Sequence, residues 1–497
     1  MKNKQATFSR VLSAIFIAVI MLSLLSACQT PEENNENANN NQGTISADAE
    51  INENAGEIAE EDPYAKYDDD LGEYDFNGED FKIQTWLNEN INNHIDTEEE
   101  TGELFNDALY TRNRIIEERF NVVIKQLLVP DFANARTRRT ILAGDSDAFD
   151  MIIERGPDGL KNWQDDLVFS LEDIPHVDLS KPYWNQSANK TLTLGGNQYV
   201  AISDFCFSTY ELSRAVLFNK GMVQDFGFEN LYDLVSSGKW TFDKMEDMMK
   251  QVIFDLNGDG VMDRNDRYGY VAHPKQVLPN FWIAADVFSV GKDGNDIPYL
   301  SMGSEKFFNV FERIFEIMWD SGTYYMGGEG AVIPQWAIDM FSNEQSLFLD
   351  TTFFVIEQMR GKETDFGILP YPKFNEQQEQ YVSRIEYYMA VQIPIINSHV
   401  ERAGVMLEAL SSYSAKTIIP AYYEIALKTK YARDDDSAQM LDLIMETLVV
   451  DIGDTTLCDQ IRDGFLAAMF QNNNRNLASR LESTERIIEI FIERIPG

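Results

Sequence analysis

Phe81-Lys82-Ile83-Gln84-Thr85-Trp86 alternates in the manner of a half-buried strand. Leu104 to Phe120 then places Leu104, Phe105, Ala108, Leu109, Ile115 and Ile116 at helical spacing. Asn121 to Val129 reads as a second strand and Phe149 to Ile153 as a third, short and apolar. Strand, helix, strand, helix in turn predicts an α/β body with parallel strands, because parallel neighbours need a crossover that a helix supplies.

Outward from this stretch the same reading continues. Leu212 to Asn219 and Tyr268 to Ala272 are predicted strands, and Thr241 caps a helix running to about Val252 with Asp243 in its first turn. Ser398-His399-Val400-Glu401 fits a Ser-x-x-Glu capping box that opens a helix to about Leu410. No internal repeat of solenoid or propeller length is visible.

Towards the amino end the composition changes. Lys2, Lys4 and Arg10 precede an apolar core from Val11 to Leu25, and Leu25-Ser26-Ala27-Cys28 follows at once. A membrane span needs about 20 apolar residues, so this shorter core with small residues behind it reads as a cleaved signal peptide over residues 1–27. Leu-Ser-Ala-Cys resembles the bacterial lipobox, which implies a lipid on Cys28 and a place on the extracellular face of the cell membrane, of Gram-positive type. The alternative is an uncleaved anchor with an incidental cysteine; either way the body lies outside the cytoplasm. Residues 28–76 are rich in Asn, Glu, Asp, Ala and Gly and are expected to form a disordered acidic tether.

Forty-one bases against 82 acids give a net charge of −41, and about −44 once the three bases of the signal are removed. Such a surface repels phosphate backbones and disfavours nucleic-acid binding. Beyond Cys28 only Cys206 and Cys458 remain, which excludes a disulfide framework; one bridge is possible, and two buried thiols are the simpler expectation.

The most specific local motif is the loop from Asp255 to Asp266. Asp255, Asn257, Asp259, Asp263 and Asp266 stand at loop positions 1, 3, 5, 9 and 12, Gly260 supplies the sharp turn at 6, and Val261 would offer its carbonyl at 7. This spacing can wrap oxygens around a structural Ca²⁺. Asp at position 12 is shorter than the usual Glu, and a plain Asx- and Gly-rich turn would use the same residues.

Several segments in order resemble the family of extracellular sugar-type solute-binding proteins that serve ABC importers. They are Ala215 to Lys220 with Asp225-Phe226-Gly227 and Asn230-Leu231-Tyr232-Asp233, Gly238-Lys239-Trp240-Thr241-Phe242-Asp243-Lys244, the Asp255 loop before a Tyr-Gly strand, Asp365 to Pro372, and Tyr413 to Tyr431. Asn230-Leu231 stands where many members carry Asn-Pro. The resemblance implies an α/β, maltose-binding-protein-like fold of two lobes with a ligand cleft between them, residues 77–208 with 389–428 forming one lobe and 209–388 with 429–497 the other. It also implies a monomer that closes on a carbohydrate and presents it to permease subunits.

Ligands of open α/β sheets lie beyond the carboxyl ends of the strands. That rule points to Trp86, Arg155 and Asp158 on the first lobe, and to Asp204, Tyr210 and Glu211 where the chain first crosses. On the second lobe Pro279-Asn280-Phe281-Trp282 and Asp350-Thr351-Thr352-Phe353 look like the family's ligand-facing loops, and the return crossing falls near Arg384 to Tyr388. Trp86, Tyr210 and Trp282 would be stacking platforms, and Arg155, Asp204, Glu211 and Arg384 polar clamps. Glu211 and Arg384 could instead form a hinge ion pair. With 12% aromatics any one ring could equally be core; if Trp282 is a platform, Trp282→Ala leaves the unliganded melting point nearly unchanged. Two other classes remain open, an extracellular glycoside hydrolase and a calcium-clipped adhesion module. No Gly-x-Ser-x-Gly, His-Glu-x-x-His or phosphate loop is present to favour metal or triad catalysis.

Overall fold

The computed structural model describes residues 62–87, 94–130, 134–327, 335–423 and 434–495. The signal, Cys28 and most of the acidic tether lie outside the described residues. Among the described residues there are thirteen strands: β1 (Glu79–Trp86), β2 (Val122–Val129), β3 (Met151–Arg155), β4 (Arg214–Asn219), β5 (Tyr268–Val271), β6 (Val290–Lys292), β7 (Pro298–Leu300), β8 (Tyr324–Tyr325), β9 (Ser346–Thr352), β10 (Phe366–Leu369), β11 (Ser383–Arg384), β12 (Met389–Gln392) and β13 (Leu448–Val449).

Two sheets carry the architecture. The first has the order β12-β3-β1-β2 and the second β10-β4-β9-β5-β8. In the first, β1 pairs in parallel with β2 and β3, joined by the predicted helix Leu104–Phe120. Asn121 ends that helix in the left-handed conformation at φ 46°, which a short Asx side chain tolerates. The expectation of parallel strands needs one correction, since β12 is antiparallel to β3, and β4 runs antiparallel to both β9 and β10. Both sheets are mixed.

The second sheet shows why its strands read as nearly continuous apolar runs. Every residue of β4 is buried, with Val216 and Phe218 in one core cluster and Ala215 and Leu217 in another across the sheet. The first sheet sends Phe81, Ile83, Met151, Ile153, Met389 and Val391 into a third cluster.

One of the two predicted caps forms. Thr241 accepts from the Lys244 N–H and starts Phe242–Val252. The capping box at Ser398 does not form: the helix is Val400–Lys416, its N-cap is His399 without a side-chain cap bond, and Asn397 takes the His399 N–H instead. Pro279 was read as part of a loop but lies inside the helix Pro274–Ala284.

Candidate functional site

The carboxyl ends of β1 and β3 are Trp86 and Arg155, and β12 starts beside them, Met389 facing Arg155. In the second sheet β5, β9 and β10 end at Val271, Thr352 and Leu369, and β4 begins next to them with Arg214 opposite Thr352. Glu386 bonds Arg214 at this second edge, and three residues later Met389 is already paired to β3 at the first. Three fully extended residues reach at most about 10 Å, so the two strand-end edges come within that distance where the chain crosses. Residues Glu386, Tyr387 and Tyr388 form the connection, and a Cβ on Gly156 would run into the Tyr388 ring.

The second edge is a buried ionic network. Arg214 donates to Asp350 at 2.8 Å and through Nε to Glu386 at 2.8 Å. Asn280 donates to Asp350 and to the Tyr371 hydroxyl, at 3.0 and 2.7 Å, and accepts from Arg384 at 2.7 Å. Arg384 grips Asp454 through two bonds of 2.6 and 2.8 Å, and Arg462 also reaches Asp454 at 3.3 Å. Burial pushes the Glu386 carboxyl up, but Arg214, Arg384 and Arg462 outweigh it and hold it at about 2. For Asp350, burial outweighs the pull of Arg214 and the carboxyl lies above its usual range.

The first edge is more open. Arg155 donates to Asp158 at 2.7 Å across the first turn of the helix Gly156–Gln164, and its guanidinium lies 6.0 Å from the Tyr387 ring. Lys161 reaches Asp158 at 3.3 Å. Between the edges runs the segment after β13. Asp451 accepts from the Trp282 indole and from Ser289, Thr456 shares a 3.0 Å bond with the Tyr388 hydroxyl, and Asp463 binds Lys275 at 2.7 Å.

Several expectations need revising against this geometry. Trp282 is 1% exposed, packs on Phe307 and donates to Asp451, so its faces are core rather than a platform. Phe281 and Phe353 are wholly buried in two different core clusters, and Thr352 closes β9 at zero exposure. Trp86 is 7% exposed and packs in the cluster under the first sheet. The suggested pair of Arg384 with Glu211 gives way to Arg384 with Asp454, while Glu211 is buried in the short helix Ser208–Glu211. Asp204 accepts from the Tyr210 hydroxyl at 2.9 Å, and burial pushes its carboxyl up to about 7. Arg155 with Asp158, Asp204 with Tyr210, and Arg384 with Asn280 are thus brought together pairwise, and the two tryptophans are not. Arg214, Glu386, Tyr387, Lys275 and Asp454 were missed. Glu386 and Tyr387 had a signal, a charged and aromatic run at the return crossing, whereas Asp454 could be found only through the fold. Cys206 and Cys458 are both buried and unbridged.

In the Asp255 loop the carboxylates serve the backbone. Asp255 accepts from the Gly258 and Gly260 N–H groups, Asp259 from Val261, Asn257 from Asp259 and Asp263 from Asn265. Asp266 is fully buried and ties Leu256 to Asp263 by accepting from both N–H groups. Among the described residues the acidic, thiol or imidazole groups that gather three together within 4.8 Å are Cys458, Asp459 and Asp463, so no three of the loop's carboxylates surround one point. The donors are of the right kind for Ca²⁺, and Asp255, Asp259 and Asp263 would have to draw together to hold it.

No protein-family model matches the chain, and no curated protein matches it by sequence. Solved structures do. The sugar-binding protein MalE from Xanthomonas citri is 13% identical with a TM-score of 0.59, over 84% of this chain and 98% of its own. The cyclic α-maltosyl-1,6-maltose binding protein from Arthrobacter globiformis is 12% identical with a TM-score of 0.57, over 83% and 98%. An ABC substrate-binding protein from Listeria monocytogenes in complex with cycloalternan is 11% identical with a TM-score of 0.53, over 84% and 99%. The chain has the two-lobed, maltose-binding-protein-like α/β fold.

Proposed function

We propose that the chain is a non-catalytic, extracytoplasmic solute-binding subunit that closes its two lobes on a carbohydrate and delivers it to the permease of an ABC importer. The observation that carries this reading is the short crossing Glu386–Tyr388, which brings the two strand-end edges within about 10 Å at that point, one edge offering Arg155, Asp158 and the Tyr387 ring, the other Lys275 and the Arg214–Glu386 pair. Aromatic faces and charged hydrogen-bonding groups at one cleft suit a polyhydroxylated ring. Names of the structural neighbours support it, since they are sugar-binding and ABC substrate-binding proteins. Attachment through a lipid on Cys28, a monomeric state and a structural Ca²⁺ in the Asp255 loop complete the proposal. No helix among the described residues is long and apolar enough to cross a membrane; the anchoring proposal rests on the lipobox-like tetrapeptide Leu25-Ser26-Ala27-Cys28.

A thermal-shift screen of the full chain against mono- and oligosaccharides, amino acids and peptides tests the reading. Stabilisation by a sugar that is recovered unchanged after hours is the expected result. Turnover of that sugar at catalytic protein concentrations would overturn it in favour of a hydrolase.

A further inference from the structure

The chain as a whole carries two acids for each base, 82 against 41. At the facing strand-end edges the balance is close to even. Arg214, Arg384 and Arg462 are buried there and bonded to Asp350, Glu386 and Asp454. Three further cations stand nearer the solvent: Arg155 and Lys161 at the first edge and Lys275 at the second, with side chains 15%, 44% and 28% exposed. Lys275 holds Asp463 at 2.7 Å, and Asp158 is shared by Arg155 and Lys161.

Asp459 is the odd member. Its Oδ2 lies 3.7 Å from Arg155 Nη2 and 3.7 Å from Lys161 Nζ, beyond hydrogen-bond reach of both, and its side chain is 39% exposed. The carboxylate therefore marks a point where two cations converge without making the close contacts that a carboxylate there can make. The Tyr387 ring under the Arg155 guanidinium adds an aromatic face beside that point.

We infer that the solute is an acidic carbohydrate, one bearing a uronate carboxylate, and that Asp459 holds the place which this carboxylate takes between Arg155 and Lys161. The inference rests on the carbohydrate-binding reading above. Asp459 is partly exposed and its Oδ1 accepts only a weak bond from the Cys458 thiol at 3.7 Å, so little holds it in place, whereas a sugar carboxylate docked on a guanidinium and an ammonium gains two charge-assisted hydrogen bonds. Removal of Asp459 from the pair leaves the mouth one positive charge richer, which favours an anionic ring over a neutral one.

Titration calorimetry of the full chain against a panel of uronate-bearing di- and trisaccharides and their neutral counterparts tests it. A uronate sugar is expected to bind about tenfold or more tightly than its neutral counterpart, the preference shrinking as salt is raised. Arg155→Gln and Lys161→Gln should each erase most of the preference. Asp459→Asn should tighten the uronate sugar several-fold, because it removes a competitor; a purely structural latch at Asp459 would instead weaken both sugar classes. Equal or tighter binding of neutral sugars overturns the acidic assignment and leaves the carbohydrate reading standing. Binding of neither class overturns both.

Discussion

Trp282 packs on Phe307 and donates to the buried Asp451 carboxylate, so its removal would leave a cavity and an unpartnered acceptor. Trp282→Ala is expected to cost about 3–5 kcal/mol in urea unfolding, the range for large aromatic deletions in cores. A loss under about 1 kcal/mol would return the ring to the cleft. The network at Arg384 predicts a second pattern. Breaking it by Asp454→Asn takes the charged partner from the buried Arg384 and Arg462 and should cost about 3–5 kcal/mol, while Arg384→Met with Asp454→Leu should recover part of that loss, Arg462 keeping its bond to Asp463. Equal loss in the single and double variants would contradict the account. Glu408 is buried beside the Tyr183 hydroxyl, and burial pushes its carboxyl up to about 7 from an ordinary 4.5. The folded chain then keeps a proton that the unfolded chain releases, so this group's stabilisation is full below pH 4.5 and is lost as pH rises to about 7. Glu408→Gln should flatten the fall in melting temperature over that window, and an unchanged slope would refute the assignment. Glu386, held at about 2, acts in the other sense: its contribution is present above pH 4.5 and lost as pH falls towards 2.

At the scale of elements, much was legible and the failures have identifiable causes. The helix Leu104–Phe120 and the Thr241 cap were readable because spacing and capping chemistry are local. Strand direction was not, since antiparallel β12 arrives from more than two hundred residues away to pair with β3. Pro279 misled because proline normally breaks a helix, and here the helix carries it in its interior. The Asp255 loop was expected to hold calcium, with a plain Asx-rich turn as the alternative; its carboxylates are occupied by N–H groups, and its calcium site remains a proposal tested by calorimetry. Heat on titrating Ca²⁺ into metal-stripped protein, with a rise in melting temperature at millimolar calcium, is the expected outcome. Absence of both removes the ion and leaves an Asx-rich turn.

For the whole molecule, the sequence segments quoted for the solute-binding family fall in an α/β chain whose two sheets face each other through their strand ends. Where the cleft's side chains end up was far less legible. Residue type and strand-end position placed Arg155, Asp158 and Arg384 near the facing edges, but whether a ring is core or platform depends on what packs over it. The segment from Val450 to Asp463 decides that for Trp282 and Arg384, and its contacts join residues more than a hundred and fifty positions apart in one case and seventy in the other. Closure on a solute is a shift between populations driven by contacts that only the closed state makes. The most direct test is titration calorimetry of the purified chain with its stabilising sugar, followed by recovery of that sugar. The account predicts saturable one-to-one heat and an unaltered sugar; no heat with any carbohydrate, or a cleaved product, would contradict it.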